Sequence, residues 1–207
     1  LVGTKTISSE HNQDICIERA DSIILNNKKI KVNLTPTSFP FDSIYFDNNL
    51  DGVIQSSELI SKTHKGGIIS ILSNTGDQYG GSSSDTKFEI IRNGPISCLV
   101  SVTNSIDYAN ETKIESDFEL ELYKDQNWIG LNHTIGFNTT KDKIIFKSID
   151  LDIPIEKQFP INWEIGTDES SYRSTNQDIK LLQTRDNRWI LQSDDAPILK
   201  GQKSPGW

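Results

Sequence analysis

Methionine is absent from all 207 residues, and alanine occurs only 3 times, against 29 isoleucines and 16 asparagines. Alanine is the strongest helix former, and both isoleucine and asparagine lose to it in a helix, so a helical bundle is excluded and a β protein expected. Positive charge is in deficit: 21 Lys+Arg against 29 Asp+Glu leaves a net charge of −8. With no surplus of cations to displace counterions from phosphates, the acid balance argues against a nucleic-acid partner. Long apolar runs are missing too. A stretch such as Ile68–Leu72 is far shorter than the roughly 20 residues a membrane helix needs. Without methionine, Leu1 is not a translation start, and no basic, apolar and small-residue leader opens the chain. The chain is expected to be a single β domain over 1–207, a mature or excised piece of a longer precursor.

Cysteine is nearly absent. Cys16 and Cys98 stand 82 residues apart in strand-like surroundings. They read either as two buried thiols acting as small apolar side chains or as one long-range disulfide of a secreted chain. No C-x-x-C pattern and no paired histidine accompanies them, so they do not form a metal site.

Alternation at period two dominates what is present. Ile30, Val32 and Leu34 alternate with Lys31 and Asn33, and Phe118, Leu120 and Leu122 with Glu119 and Glu121. Leu131, His133, Ile135 and Phe137 share one face, and Ile149, Leu151, Ile153 and Ile155 another. Each reads as a half-buried antiparallel strand. Further strands are expected at Ile23–Leu25, Ile68–Leu72, Phe88–Ile91, Ile96–Val102, Ile161–Ile165, Ile179–Leu182 and Trp189–Leu191, with one short helix around Ser56–Lys62. Turn signals such as Asn26-Asn27, Gly66-Gly67, Asn93-Gly94-Pro95 and Asp125-Gln126-Asn127 separate them, and Gly80–Ser84 is the candidate mobile loop. The fold class is all-β: an antiparallel β-sandwich or barrel-like domain with an inserted EF-hand-like calcium loop.

That loop is Asp47-Asn48-Asn49-Leu50-Asp51-Gly52-Val53-Ile54-Gln55-Ser56-Ser57-Glu58. Asp47, Asn49 and Asp51 offer side-chain oxygens at positions 1, 3 and 5, Gly52 allows the turn at 6, and Val53 offers its carbonyl at 7. Gln55 stands at 9 and Glu58 at 12, where a bidentate acid belongs. Ca2+ takes six to eight hard oxygens in flexible geometry, and this spacing provides them. Pro36 and Pro40 break any incoming helix. A reorienting helix pair is therefore not expected, and the loop reads as a structural calcium site between β elements. The competing reading is an Asx-rich turn, because Asn and Asp favour turns without any metal.

Asn33, Asn110, Asn132 and Asn138 open N-x-S/T sequons, which fit a secreted chain or arise by chance in a sequence this rich in Asn and Thr. His11, His64 and His133 have no ligand spacing, and no G-x-S-x-G, H-E-x-x-H or P-loop occurs. The acid pairs Asp150/Asp152 and Asp194/Asp195 read as solvated faces rather than glycosidase carboxylates. Trp128, Trp163, Trp189 and Trp207 could stack sugars but equally serve as core or edge residues.

From Arg92, RNGPISCLVSVTNSIDYANETKIESDFELELYKDQNWIGLNHTIGF resembles a segment of large β domains in polysaccharide-active enzymes. With IKLLQTRDNRWIL, the closing LKGQKSPGW and the earlier IILNNKKIKVNLTPTSFPFDSIYFDN, it is similar to the N-terminal β domain of the exo-rhamnogalacturonan lyase family. The resemblance implies a scaffold preceding a helical toroid that carries the catalytic residues. This chain lacks such a helical pattern, so the resemblance implies no catalytic residue here.

Two readings follow. One is a non-catalytic, secreted, calcium-stabilised β module, a structural or assembly subunit at the cell surface whose partner is its own copies; Leu1–Ser9 is the least implausible donor strand. The other is an accessory carbohydrate-binding domain of a polysaccharide lyase, for which Lys141, Lys143 and Lys147 are the nearest basic cluster against an anionic glycan. No residue names itself as nucleophile or general base, which leaves a complete small enzyme the least supported reading.

Overall fold

The computed structural model describes residues 14–63, 67–80, 86–108, 112–140 and 143–156, and beyond them five strands by their backbone alone. The chain divides into two compact units, Leu1–Glu156 and Lys157–Trp207. The expected donor segment Leu1–Ser9, most of the Gly80–Ser84 loop, Asn110, His11, His64, Lys141, Asp194, Asp195 and Trp207 lie outside the described residues.

The first unit is built from three antiparallel sheets. A five-stranded meander runs in chain order through β1 (Cys16–Arg19), β2 (Ser22–Asn26), β3 (Ile30–Leu34), β4 (Ser43–Phe46) and β5 (Leu59–Lys62). A three-stranded sheet sets β6 (Ile69–Ser73) between β7 (Gln78–Gly80) and β12 (Phe146–Leu151). The third sheet has the order β11 (Gly130–Asn138), β10 (Thr112–Tyr123), β9 (Ser97–Tyr108), β8 (Lys87–Arg92). No α-helix occurs among the described residues, and none of these sheets closes into a barrel.

The alternation in the sequence becomes burial. Val32 and Leu34 from β3, Ile71 from β6, Val100 and Val102 from β9, and Phe118, Leu120 and Leu122 from β10 join one buried apolar cluster. Phe39, from the segment between β3 and β4, meets Phe118 edge-on with ring centroids 5.4 Å apart. Gly67 is needed beside it: its φ is +81°, and a Cβ there would come within 2.9 Å of the Phe39 carbonyl oxygen. Polar stitching adds to the apolar contact. Asn27 donates through Nδ2 to the carbonyls of Tyr123 (2.6 Å) and Gln126 (2.8 Å). Its Oδ1 accepts from the Ile30 amide at 2.8 Å, so one side chain ties the β2–β3 turn to the end of β10.

Three expectations are corrected. The helix at Ser56–Lys62 is a single 3₁₀ turn, Ser56–Glu58, followed by β5, because pairing with β4 overrides local helix preference. The strand expected through Ile155 stops at Leu151. Pro154 has no amide to extend a ladder; its carbonyl instead accepts from Ser61 Oγ at 2.6 Å, and Ile153 and Ile155 stay exposed. On β11, the edge strand of its sheet, His133 and Ile135 are half-buried but Leu131 and Phe137, at its two ends, are exposed.

His133 stacks on Phe118, centroids 4.1 Å apart and planes 4° from parallel, with Nε2 2.9 Å from Ser116 Oγ. Burial pushes its pKa below the usual imidazole value, opposed by the negative charge of Asp117. An imidazole depressed in the folded state takes its proton first in the unfolded chain, so stability falls as pH drops through about 6.5. The wild type should therefore lose melting temperature between pH 7.5 and pH 5.5, and His133→Gln should flatten that loss. An identical loss in the variant, measured by calorimetry at the two pH values, would exclude this role.

The second unit holds a hairpin, β13 (Asn162–Gly166) with β14 (Ser171–Thr175), and a three-stranded sheet, β15 (Lys180–Arg185), β16 (Arg188–Ser193) and β17 (Ala196–Gln202), with β16 central. Trp163 and Trp189 fall on β13 and β16.

Candidate metal centre

Residues 47–58 connect two adjacent antiparallel strands, β4 and β5, so the loop is the tip of a hairpin. Its start is fixed by the ladder: the Asp47 amide donates to the Lys29 carbonyl at 2.8 Å, one residue beyond the β3–β4 pairing. Its end is fixed by the 3₁₀ turn, where Glu58 closes on Gln55. Between them the backbone takes left-handed φ at Leu50 (60°) and Gly52 (76°). Gly52 suits that conformation; Leu50 reaches it with its side chain out in solvent.

The candidate ligands bond mainly to the loop itself. Asn49 Oδ1 accepts from the Asp51 amide (2.9 Å), and Asp51 Oδ1 from the Val53 amide (2.7 Å). Asp51 Oδ2 accepts from Asn49 Nδ2 (3.2 Å) and Gln55 Nε2 (3.4 Å), so these three side chains are gathered on one carboxylate. Glu58 bridges the loop, Oε1 accepting from the Asn48 amide (3.1 Å) and Oε2 from the Gln55 amide (2.8 Å).

Asp47 differs from the others. It is 2% exposed, its Oδ2 accepts from the Gly52 amide at 2.8 Å, and its Oδ1 is buried without a hydrogen-bond partner. Glu58 is 3% exposed. Two carboxylates are thus buried in one loop, and no ion pair among the described residues reaches either. Buried carboxylates are costly unless a cation or a full set of donors compensates them. No three Asp, Glu, His or Cys side chains converge on a point among the described residues. A cation here would therefore draw on the neutral oxygens of Asn49, Gln55 and the Val53 carbonyl as well as the acids.

The other expected site residues are scattered. Asn33 lies within β3 with its Nδ2 donating to Ser43 Oγ (2.9 Å); Asn132 is exposed on β11, donating to Glu119 (3.2 Å), and Asn138 is exposed at its end. Asp150 and Asp152 are exposed, the first accepting from Ser148. Trp128 is exposed and inclined against Tyr123, centroids 5.5 Å apart. Cys16 and Cys98 are both buried, free thiols.

A second feature carries no spacing signal in the sequence. A cleft of about 600 Å³ opens beside β6 and β9, with Asp77, Tyr79, Tyr108 and Lys143 on its walls. The two tyrosine rings lie 4.8 Å apart at 55°, and the Tyr108 hydroxyl donates to the Ile145 carbonyl at 2.7 Å. No protein-family model, no curated protein and no solved structure matches this chain.

Proposed function

We propose that this chain is a non-catalytic β-sandwich module of the cell exterior, in which Ca2+ held by the β4–β5 loop fixes the hairpin tip and the module assembles with its own copies. The observation that carries the reading is the buried Asp47 Oδ1, the oxygen of the loop left without a donor. The ligand set is Asp47, Asn49, Asp51, the Val53 carbonyl, Gln55 and Glu58, all hard oxygens suited to Ca2+. Extracellular modules fill sites with dissociation constants of roughly 10⁻⁴–10⁻³ M, so the site need not be tight. Assembly is supported by apolar side chains left at the surface: Phe137 and Phe146 stacked 5.9 Å apart, with Leu151, Ile153 and Ile155 exposed. Size-exclusion chromatography with light scattering should give a particle several times the single-chain mass in Ca2+ and a smaller one in EDTA. A monomer in both buffers contradicts the assembly half of the proposal.

The tyrosine-lined cleft favours a second reading, an accessory carbohydrate-binding domain of a polysaccharide lyase. A half-buried aromatic face with Asp77 and Lys143 nearby offers the stacking and hydrogen bonding that sugars take. A monomer that binds a glycan array, and loses binding on Tyr79→Ala, would establish this reading over the first.

A further inference from the structure

The two cysteines lie on different sheets. Cys16 opens β1, the edge strand of the five-stranded meander, and Cys98 is the second residue of β9 in the four-stranded sheet. Their approach is built into the backbone. The Cys16 amide donates to Asn93 Oδ1 (3.1 Å), Asn93 Nδ2 donates back to the Cys16 carbonyl (3.0 Å), and the Ile15 amide donates to the Gly94 carbonyl (3.2 Å). These bonds clamp β1 onto the turn that leads into β9. Within the clamp the Cys16 and Cys98 thiols are neighbours in the same buried apolar cluster, Cys16 3% and Cys98 0% exposed. No third Cys, His, Asp or Glu completes a metal site with them among the described residues.

We propose that Cys16 and Cys98 form an intramolecular disulfide that staples β1 to β9. The reaction is exchange with an oxidised low-molecular-weight disulfide, RSSR. The Cys16 thiolate attacks one sulfur of RSSR, breaking its S–S bond and releasing RS⁻. Cys98 then loses its proton and attacks Cys16 Sγ, forming the Cys16–Cys98 bond and expelling the second RS⁻. Two protein thiols are oxidised by two electrons, RSSR is reduced, and the two protons leave on two RSH.

The order follows from the surroundings. The neighbouring Cys98 thiol lowers the Cys16 pKa, against burial and the negative charges of Glu18 and Asp14, while Cys16 and burial both raise that of Cys98, with Arg92 acting against them. Cys16 stands on an edge strand, whereas Cys98 stands on β9 with a neighbour on each side, so Cys16 is the attacking thiol and Cys98 the resolving one. Access comes by opening of β1, which is four residues long and paired with β2 on one side only. The inference does not depend on calcium.

The test is to unfold the reduced chain, refold it in a buffer of oxidised and reduced glutathione, quench with acid, and count thiols in denaturant. The expected product has no free thiol, a mass lower by two hydrogens, and a peptide joining Cys16 to Cys98, at unchanged oligomeric size. Its melting temperature should exceed that of the reduced protein by roughly 10 °C, the gain expected for a loop this long, and reductant should abolish the difference. Cys98→Ser should show the same melting temperature in oxidant and reductant. Two free thiols after refolding, glutathione left on either cysteine, or a disulfide between chains would each overturn the proposal.

Discussion

Phe118→Ala should lower the melting temperature of the first unit by roughly 10–15 °C, the largest loss expected from one side chain. Phe118 is fully buried on β10, its ring in edge contact with Phe39 on one side and stacked on His133 on another. Truncating a buried phenylalanine costs about 3–5 kcal/mol in lost transfer free energy and residual cavity, and each degree-scale shift follows at about 2–4 °C per kcal/mol for a unit of this size. Phe39 would lose its partner as well, and Phe39 sits over Gly67, where the chain enters β6. Phe118→Leu keeps most of the volume and should cost much less. Calorimetry on the two variants separates the cases. A loss of only a few degrees in Phe118→Ala would mean that the sheets do not share the core described.

Calcium should also raise the melting temperature substantially. At a concentration about 100 times its dissociation constant, a ligand bound only by the folded state contributes about 2.7 kcal/mol, or roughly 5–10 °C for a unit of this size. Asp47→Asn preserves shape and an acceptor for the Gly52 amide but removes the buried charge that a cation would neutralise. Glu58→Gln does the same at the other end of the loop, where both carboxylate oxygens are engaged by the Asn48 and Gln55 amides. The calcium increment in melting temperature should fall close to zero in each variant. Magnesium should not replace calcium, because it demands a tighter octahedral shell. An increment undiminished in both variants would remove these residues from the ligand set.

Among the strands read from the sequence, the clearest are those whose inward positions are apolar without a break. Ile30, Val32 and Leu34 on β3 and Phe118, Leu120 and Leu122 on β10 alternate without interruption, and all six are buried. β5 was not legible because Ser61 occupies a buried position there, and its partner is the Pro154 carbonyl, 93 residues away. β4 is short and opens on a buried serine, while β1 carries two charged residues in four, and their strand character comes from neighbours rather than from pattern. The ligand order of the 47–58 loop was legible because it depends only on local spacing. Which oxygen would be free was not. That depends on the Lys29 carbonyl fixing the Asp47 backbone and on the Gly52 amide occupying one oxygen of its carboxylate. The contact of Cys16 with Cys98 was legible as a possibility only, since the clamp through Asn93 is a tertiary feature.

In the proposed calcium site the buried Asp47 carboxylate forms one wall. Isothermal titration of Ca2+ into the EDTA-stripped, dialysed protein tests it most directly, with Asp47→Asn titrated alongside. One Ca2+ should bind per chain at a dissociation constant in the range of roughly 10⁻⁴–10⁻³ M or tighter, and none should bind to the variant. No saturable binding to the wild type at 10⁻² M Ca2+, or equal binding to both proteins, would contradict it and leave residues 47–58 as an Asx-rich turn.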